Sequence, residues 1–103
     1  MTTDGVGPVL QPTPLARAVV AAMEEENDAI VVYDEGAYLR VLSPQVCRVS
    51  RSGVEAHTGT AVRFPGDLEV IMSSFAGRLE MNEAGAVWWL ASEPRPDPPS
   101  DHG

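Results

Sequence analysis

The sequence predicts an α+β domain built from two βαββ-like halves. Three observations carry this. A single well-capped amphipathic helix follows a short extended segment, at "TPLARAVVAAMEEEN" (13–27). Runs of apolar and β-branched residues separated by glycine-containing turns follow it, and they are too short for anything but strands. After Leu90, "ASEPRPDPPSDHG" holds four prolines in six positions, which precludes a ladder and ends the domain in a disordered tail.

Taken in order, residues 1–5 read as a flexible N-terminal arm, 6–91 as the folded domain and 92–103 as a proline-rich acidic tail. "VGPVL" (6–10) is extended, because Pro8 pushes Gly7 away from helix. In the helix Thr13 caps and Pro14 takes the first position, where its missing N–H costs nothing. Leu15, Val19, Ala22 and Met23 form one apolar stripe that faces a sheet. Glu24, Glu25 and Glu26 fall in the last turn, where the helix dipole disfavours anions by ~0.3–1 kcal/mol each. They are read either as a solvated face or as acids met by an arginine-rich partner.

"AIVVY" and "AYLRVL" join through Asp34-Glu35-Gly36 as a hairpin, with Tyr38, Arg40 and Leu42 on one face and Leu39 and Val41 on the other. "QVCRV" adds an edge strand. Ser52-Gly-Val-Glu55 has the spacing of a capping box and predicts a short second helix that ends near Gly59. "DLEVIM" (67–72) alternates and is read as a strand, with Leu68, Val70 and Met72 on one face. "GRLEM", a turn at 82–85 and "AVWWL" form a closing hairpin. Trp88 and Trp89 point to opposite faces of the last strand. One belongs to the core; the other is either an exposed interface aromatic or covered by a loop.

The chain is 103 residues long, near the lower end for a self-sufficient core, and carries a net charge of −8 with 15 acids against 7 bases, all arginine. With no basic patch to neutralise phosphates, nucleic acid and anionic membrane are poor partners. No apolar run or secretion signal stands out, so a cytoplasmic protein is expected. The single cysteine, Cys47, excludes an intramolecular disulfide and is expected to be a buried, unreactive thiol.

Chemistry is sparse. His57 and His102 are the only histidines, and His102 lies in the tail. There is no Glu-x-x-His pair for a carboxylate-bridged metal site, and a chain without lysine cannot form a phosphate-binding Gly-x-x-x-x-Gly-Lys loop. The paired carboxylates lie at a turn and a helix end, without the apolar surroundings that tune an acid or base. The inventory describes a binding module without catalytic residues.

"VGPVL" (6–10), "AYLRV" (37–41) and "DLEVIMSSFAGRL" (67–79) occur in an order and at spacings that fit one family. Across residues 5–90 the chain resembles the effector (coupling, regulatory) proteins of soluble multicomponent di-iron monooxygenases. Its early Val-Gly-Pro is most similar to the toluene, alkene and isoprene branch. The resemblance implies a non-catalytic subunit with no cofactor of its own. It would bind a multi-subunit hydroxylase that carries a carboxylate-bridged di-iron centre, and reach the reductase and ferredoxin only indirectly. Docking would tune oxygen activation, substrate access and the coupling of electron transfer to hydrocarbon oxidation.

Carried over by position, Ser73, Ser74, Phe75, Ala76 and Gly77 match the family's strand end and turn. Val6, Gly7 and Pro8 match the segment after the arm, and Arg78 stands where members carry Arg or Gln. These nine residues are the expected hydroxylase-binding set. Phe75 is expected chiefly to pack under the strand while Gly77 turns the chain, with direct contact as the other reading. Gly59 and Thr60 weaken the second helix relative to the family, one residue is inserted between Gly59 and Asp67, and the arm is shorter than the methane branch's binding tail. A free monomer is expected. The competing functional readings are an α+β scaffold that binds without altering turnover, and a small enzyme that uses His57 as base.

Overall fold

The fold was obtained as a computed structural model, which describes residues 5–100. Residues 1–4 of the expected arm, and residues 101–103 of the expected tail with His102, lie outside the described residues. In chain order the elements are β1 (Gly7–Leu10), α1 (Pro14–Glu26), β2 (Val31–Asp34), β3 (Leu39–Leu42), β4 (Val46–Ser50), α2 (Arg51–Thr58), α3 (Gly66–Ile71), β5 (Met72–Ala76), β6 (Arg78–Asn82) and β7 (Gly85–Trp89).

These strands form two antiparallel sheets. One has the order β2-β3-β1-β5 and the other β4-β7-β6. The first half is a βαββ unit; the second places two helices, α2 and α3, after β4, and its β5 leaves to lie beside β1 of the first before β6 and β7 complete the second sheet. Only Gly77 separates β5 from β6, so this one residue carries the chain from one sheet to the other.

Helix α1 forms where its local signals place it. Thr13 Oγ1 accepts from the Ala16 N–H at 3.0 Å, and Pro14 occupies the first turn. Ala16, Val19, Ala22 and Met23 are buried against Leu10, Leu39, Val41, Cys47 and Val49 from both sheets. Asn27 ties the end of the helix to β4: its side chain donates to the carbonyls of Met23 and Arg48 and accepts from the Arg48 N–H, at 2.8–2.9 Å.

Two local expectations are corrected. Ser52 does not cap α2; Ser50 does, with its Oγ accepting from the Gly53 N–H at 3.0 Å. Glu55 instead holds Arg51 and accepts from the Val62 N–H at 2.8 Å. The helix does end at Gly59, in the left-handed region at φ 73°.

The second correction concerns 67–72, which is helix α3 up to Ile71 rather than a strand. Leu68 and Ile71 are buried one helical turn apart, while Val70 is 76% exposed, so the burial has the helical period. Asp67 and Glu69 sit in the first turn, where the dipole favours anions, and Asp67 Oδ2 accepts from the Arg63 N–H at 2.9 Å. The strand begins only at Met72, so the Ser-Ser-Phe-Ala run is itself β5.

From Ala91 to Ser100 the chain joins no ladder and forms no helix or strand. None of the helices among the described residues is long and apolar enough to cross a membrane.

Candidate functional site

The two sequence stretches expected to act together meet in space. Strand β1 pairs with β5 in the register Gly7↔Ala76, Pro8↔Phe75 and Val9↔Ser74, and then jumps to Leu10↔Met72. Ser73 is the extra residue at that irregularity, and its Oγ donates to the Val9 carbonyl at 3.3 Å. A bulge of this kind bends an edge strand and re-aims the side chains beside it.

Gly7 and Pro8 suit the inner side of this pairing for distinct reasons. A Cβ on Gly7 would lie 2.2 Å from the Val41 carbonyl oxygen, so β1 crosses β3 more closely than any side chain allows. Pro8 has no N–H to donate, which a central strand tolerates poorly. Here β1 meets β3 through the Val6↔Ser43 bridge and then through Val9↔Arg40 and Leu10↔Leu39, leaving Pro8 between the paired positions.

The nine expected residues divide into two groups. Val6, Gly7 and Pro8 are buried and form a floor. Ser73, Ser74 and Phe75 are exposed, with Ala76 intermediate, on the edge strand β5; Gly77 and Arg78, exposed too, are the link and the first residue of β6 in the other sheet. Phe75 is the main correction within the set. It is 46% exposed rather than packed under the strand, because β5 is an edge strand and, among the described residues, no strand pairs beyond it.

Beside this edge lies an open groove of about 300 Å³, lined by Gly7, Val9, Arg40, Leu42, Ser74 and Phe75 among others. Alternation puts Arg40 on one face of β3 with Tyr38 and Leu42; that this face shares a groove with Ser74 and Phe75, across the intervening β1, follows only from the long-range pairing. Arg40 in the groove and Arg78, just past Gly77 at the start of β6, form no ion pair among the described residues, although the chain is strongly acidic. Val31 and Tyr33 are further exposed apolar side chains, on the opposite edge strand of the same sheet.

The other titratable groups hold the fold together. His57 Nε2 lies 3.0 Å from Glu25, which joins α2 to α1. Glu26 receives the Ser50 N–H and Oγ–H at 2.9 Å, so the acidic end of α1 caps the start of α2. Burial pushes the Glu26 carboxyl above its ordinary range, against the lowering effect of the Ser50 hydrogen bonds, and Glu25 adds to the rise. Cys47 is buried, and its thiol is pushed up to about 12, chiefly by loss of solvent and then by the Glu26 charge. Among the described residues no three His, Cys, Asp or Glu side chains gather as a metal site requires.

The MmoB/DmpM family profile matches residues 4–89. The chain is 32% identical over 94 residues, 89% of its length, to the protein named alkene monooxygenase system, effector subunit, from Xanthobacter autotrophicus strain Py2, and spans 92% of that relative. Its fold is similar, with a TM-score of 0.74, to a chain in the structure of a phenol hydroxylase–regulatory protein complex. That likeness covers 84% of this chain and 98% of the other at 17% identity.

Proposed function

The chain belongs to the MmoB/DmpM family, and from that premise we propose that it is the effector subunit of a multicomponent monooxygenase, regulatory and not itself catalytic. Its partner is a multi-subunit hydroxylase, and the carboxylate-bridged di-iron centre belongs to that partner. The end-to-end similarity to an alkene monooxygenase effector subunit carries this reading.

The β5 edge is the docking element. Ser73 and Ser74 keep the backbone accessible, Phe75 supplies an apolar anchor, and Arg78 and Arg40 supply charge for acids on the partner. Val6, Gly7 and Pro8 act from beneath, by fixing the register that presents this edge. A rigid edge pressed against the hydroxylase favours the hydroxylase conformation it fits best, and an effector can shift that equilibrium only by its differential affinity for the two states. Through that shift it tunes oxygen activation, substrate access and the coupling of electrons from the reductase and ferredoxin to hydrocarbon oxidation. The free protein is a cytoplasmic monomer.

The test is turnover by the cognate hydroxylase and its reductase with increasing amounts of this protein. Product formation should rise, with less reductant wasted, and saturate near one copy per active site. Binding without any change in turnover would instead support the scaffold reading.

A further inference from the structure

We propose that the outer face of the β4-β7-β6 sheet is a binding site for a proline-rich peptide of the form Arg-Pro-x-Pro-Pro, filled in this protein by its own residues 95–99. Three observations meet here. The first is burial without a visible cover. Ala86 and Trp88 on the central strand β7 face the main core, whereas Val87 and Trp89 point the other way. Both are nevertheless buried, Val87 at 0% and Trp89 at 7% exposure.

The second observation is where the C-terminal segment is held. Arg48, Glu80 and Asn82 share the outer face with Val87 and Trp89, since Arg48 and Glu80 pair directly with Val87 and Asn82 with Gly85. Each of them grips the tail. Arg48 Nη1 donates to the Asp97 carbonyl at 3.1 Å, Asn82 Nδ2 donates to the Pro99 carbonyl at 3.1 Å, and Glu80 pairs with Arg95. A polyproline helix has no internal hydrogen bonds, so its carbonyls need outside donors, and here two side chains supply them.

The third observation is periodicity. Of the four tail prolines, Pro96 and Pro99 are half-buried while Pro94 and Pro98 are exposed. A spacing of three is one turn of a polyproline helix, so this is the burial that such a helix with one face turned inward gives. An aromatic-bearing surface flanked by donors and an acid is the chemistry that recognises such segments in other proteins. The family profile ends at residue 89, so the segment held by Arg48, Glu80 and Asn82 lies beyond the matched region. The cover is also incomplete: a cavity of about 310 Å³ remains between Pro98 and Pro99 on one side and Glu26, Arg48 and Ser50 on the other. A cover held at a few points can exchange for a peptide of the same kind on another molecule.

The experiment uses the full-length chain. In the unaltered protein, nuclear Overhauser contacts are expected from the Pro96 and Pro99 rings to the Val87 methyls or the Trp89 indole; their absence would overturn the proposal. P96G/P99G should red-shift the tryptophan emission and raise acrylamide quenching roughly twofold, as one of two indoles becomes accessible. A synthetic peptide of residues 93–100 should then reverse both changes saturably, and E80Q should weaken that rescue by removing the partner of Arg95. In a Trp89→Phe background neither the red shift nor the rescue should appear. Unchanged quenching in P96G/P99G, or a peptide without effect on it, would show that the face is not a proline-peptide site.

Discussion

Gly77 and Val6 are in such close contact that a Cβ at position 77 would lie 2.6 Å from Val6 Cγ1, and equally close to the Trp89 carbonyl oxygen. Gly77 is also left-handed, at φ 94°. The residue that turns the chain from one sheet to the other is thus wedged between the first strand's lead-in and the last strand. The left-handed backbone and the lack of space both demand glycine there, and the two stretches of the candidate site meet at that point.

Gly77→Ala should therefore destabilise by more than about 2 kcal/mol, with left-handed strain and a backbone clash adding. Gly36, at φ 83° with nothing within 4 Å of a Cβ, isolates the strain alone. Gly36→Ala should cost only about 1 kcal/mol. Urea midpoints of the two variants measure the difference, and equal losses would show that space at Gly77 does not matter.

Helix α1 was legible in the sequence because its cap, its proline and its stripe are all local, and so was the β6–β7 hairpin. The 67–72 segment misled because Leu68, Val70 and Met72 alternate while Leu68 and Ile71 keep a helical spacing, and six residues cannot separate the two periods. The exposure of Phe75 depends on β5 pairing with β1, some 65 residues away in the chain, as the edge strand of the sheet among the described residues. The Glu24–Glu26 run looked like a flaw in α1 because Ser50 and His57, which meet Glu26 and Glu25, belong to the neighbouring strand end and helix.

Phe75→Ala separates docking from folding. A fully buried phenylalanine costs ~3–5 kcal/mol when truncated, but a ring 46% exposed on an edge strand should cost less than about 1.5 kcal/mol. The melting temperature should move little while stimulation of the hydroxylase falls sharply. A large drop in melting temperature with stimulation intact at low temperature would return Phe75 to the core.

Glu26→Gln removes a charge that burial disfavours. The folded-state pKa of Glu26 is raised, so its protonated form is the one the fold favours. The resulting contribution is fully present below the ordinary carboxylate range and is lost as pH rises through the folded value. Relative to Glu26→Gln, the unaltered protein should lose stability as pH rises from about 4 towards neutrality. Parallel urea midpoints at several pH values across that window read the effect directly, and a constant difference would sink it.

Cys47 sets an alkaline limit. Its thiol is pushed up to about 12 in the fold from a reference value of 9.0, because ionisation would place a charge among Val49, Trp88 and their neighbours. The folded state keeps its proton in that range while the unfolded chain releases it, so stability falls as pH rises from about 9 towards 12. The slope from this one group approaches about 1.4 kcal/mol per pH unit. Cys47→Ala leaves only a small void and abolishes the titration, so it should be slightly less stable at neutral pH yet lose less on going to pH 10–11. Subtracting the two pH–stability curves cancels the tyrosines and other shared groups. A flat difference curve above pH 9 would mean that the thiol ionises without unfolding, and that Cys47 is reached by solvent in the native protein.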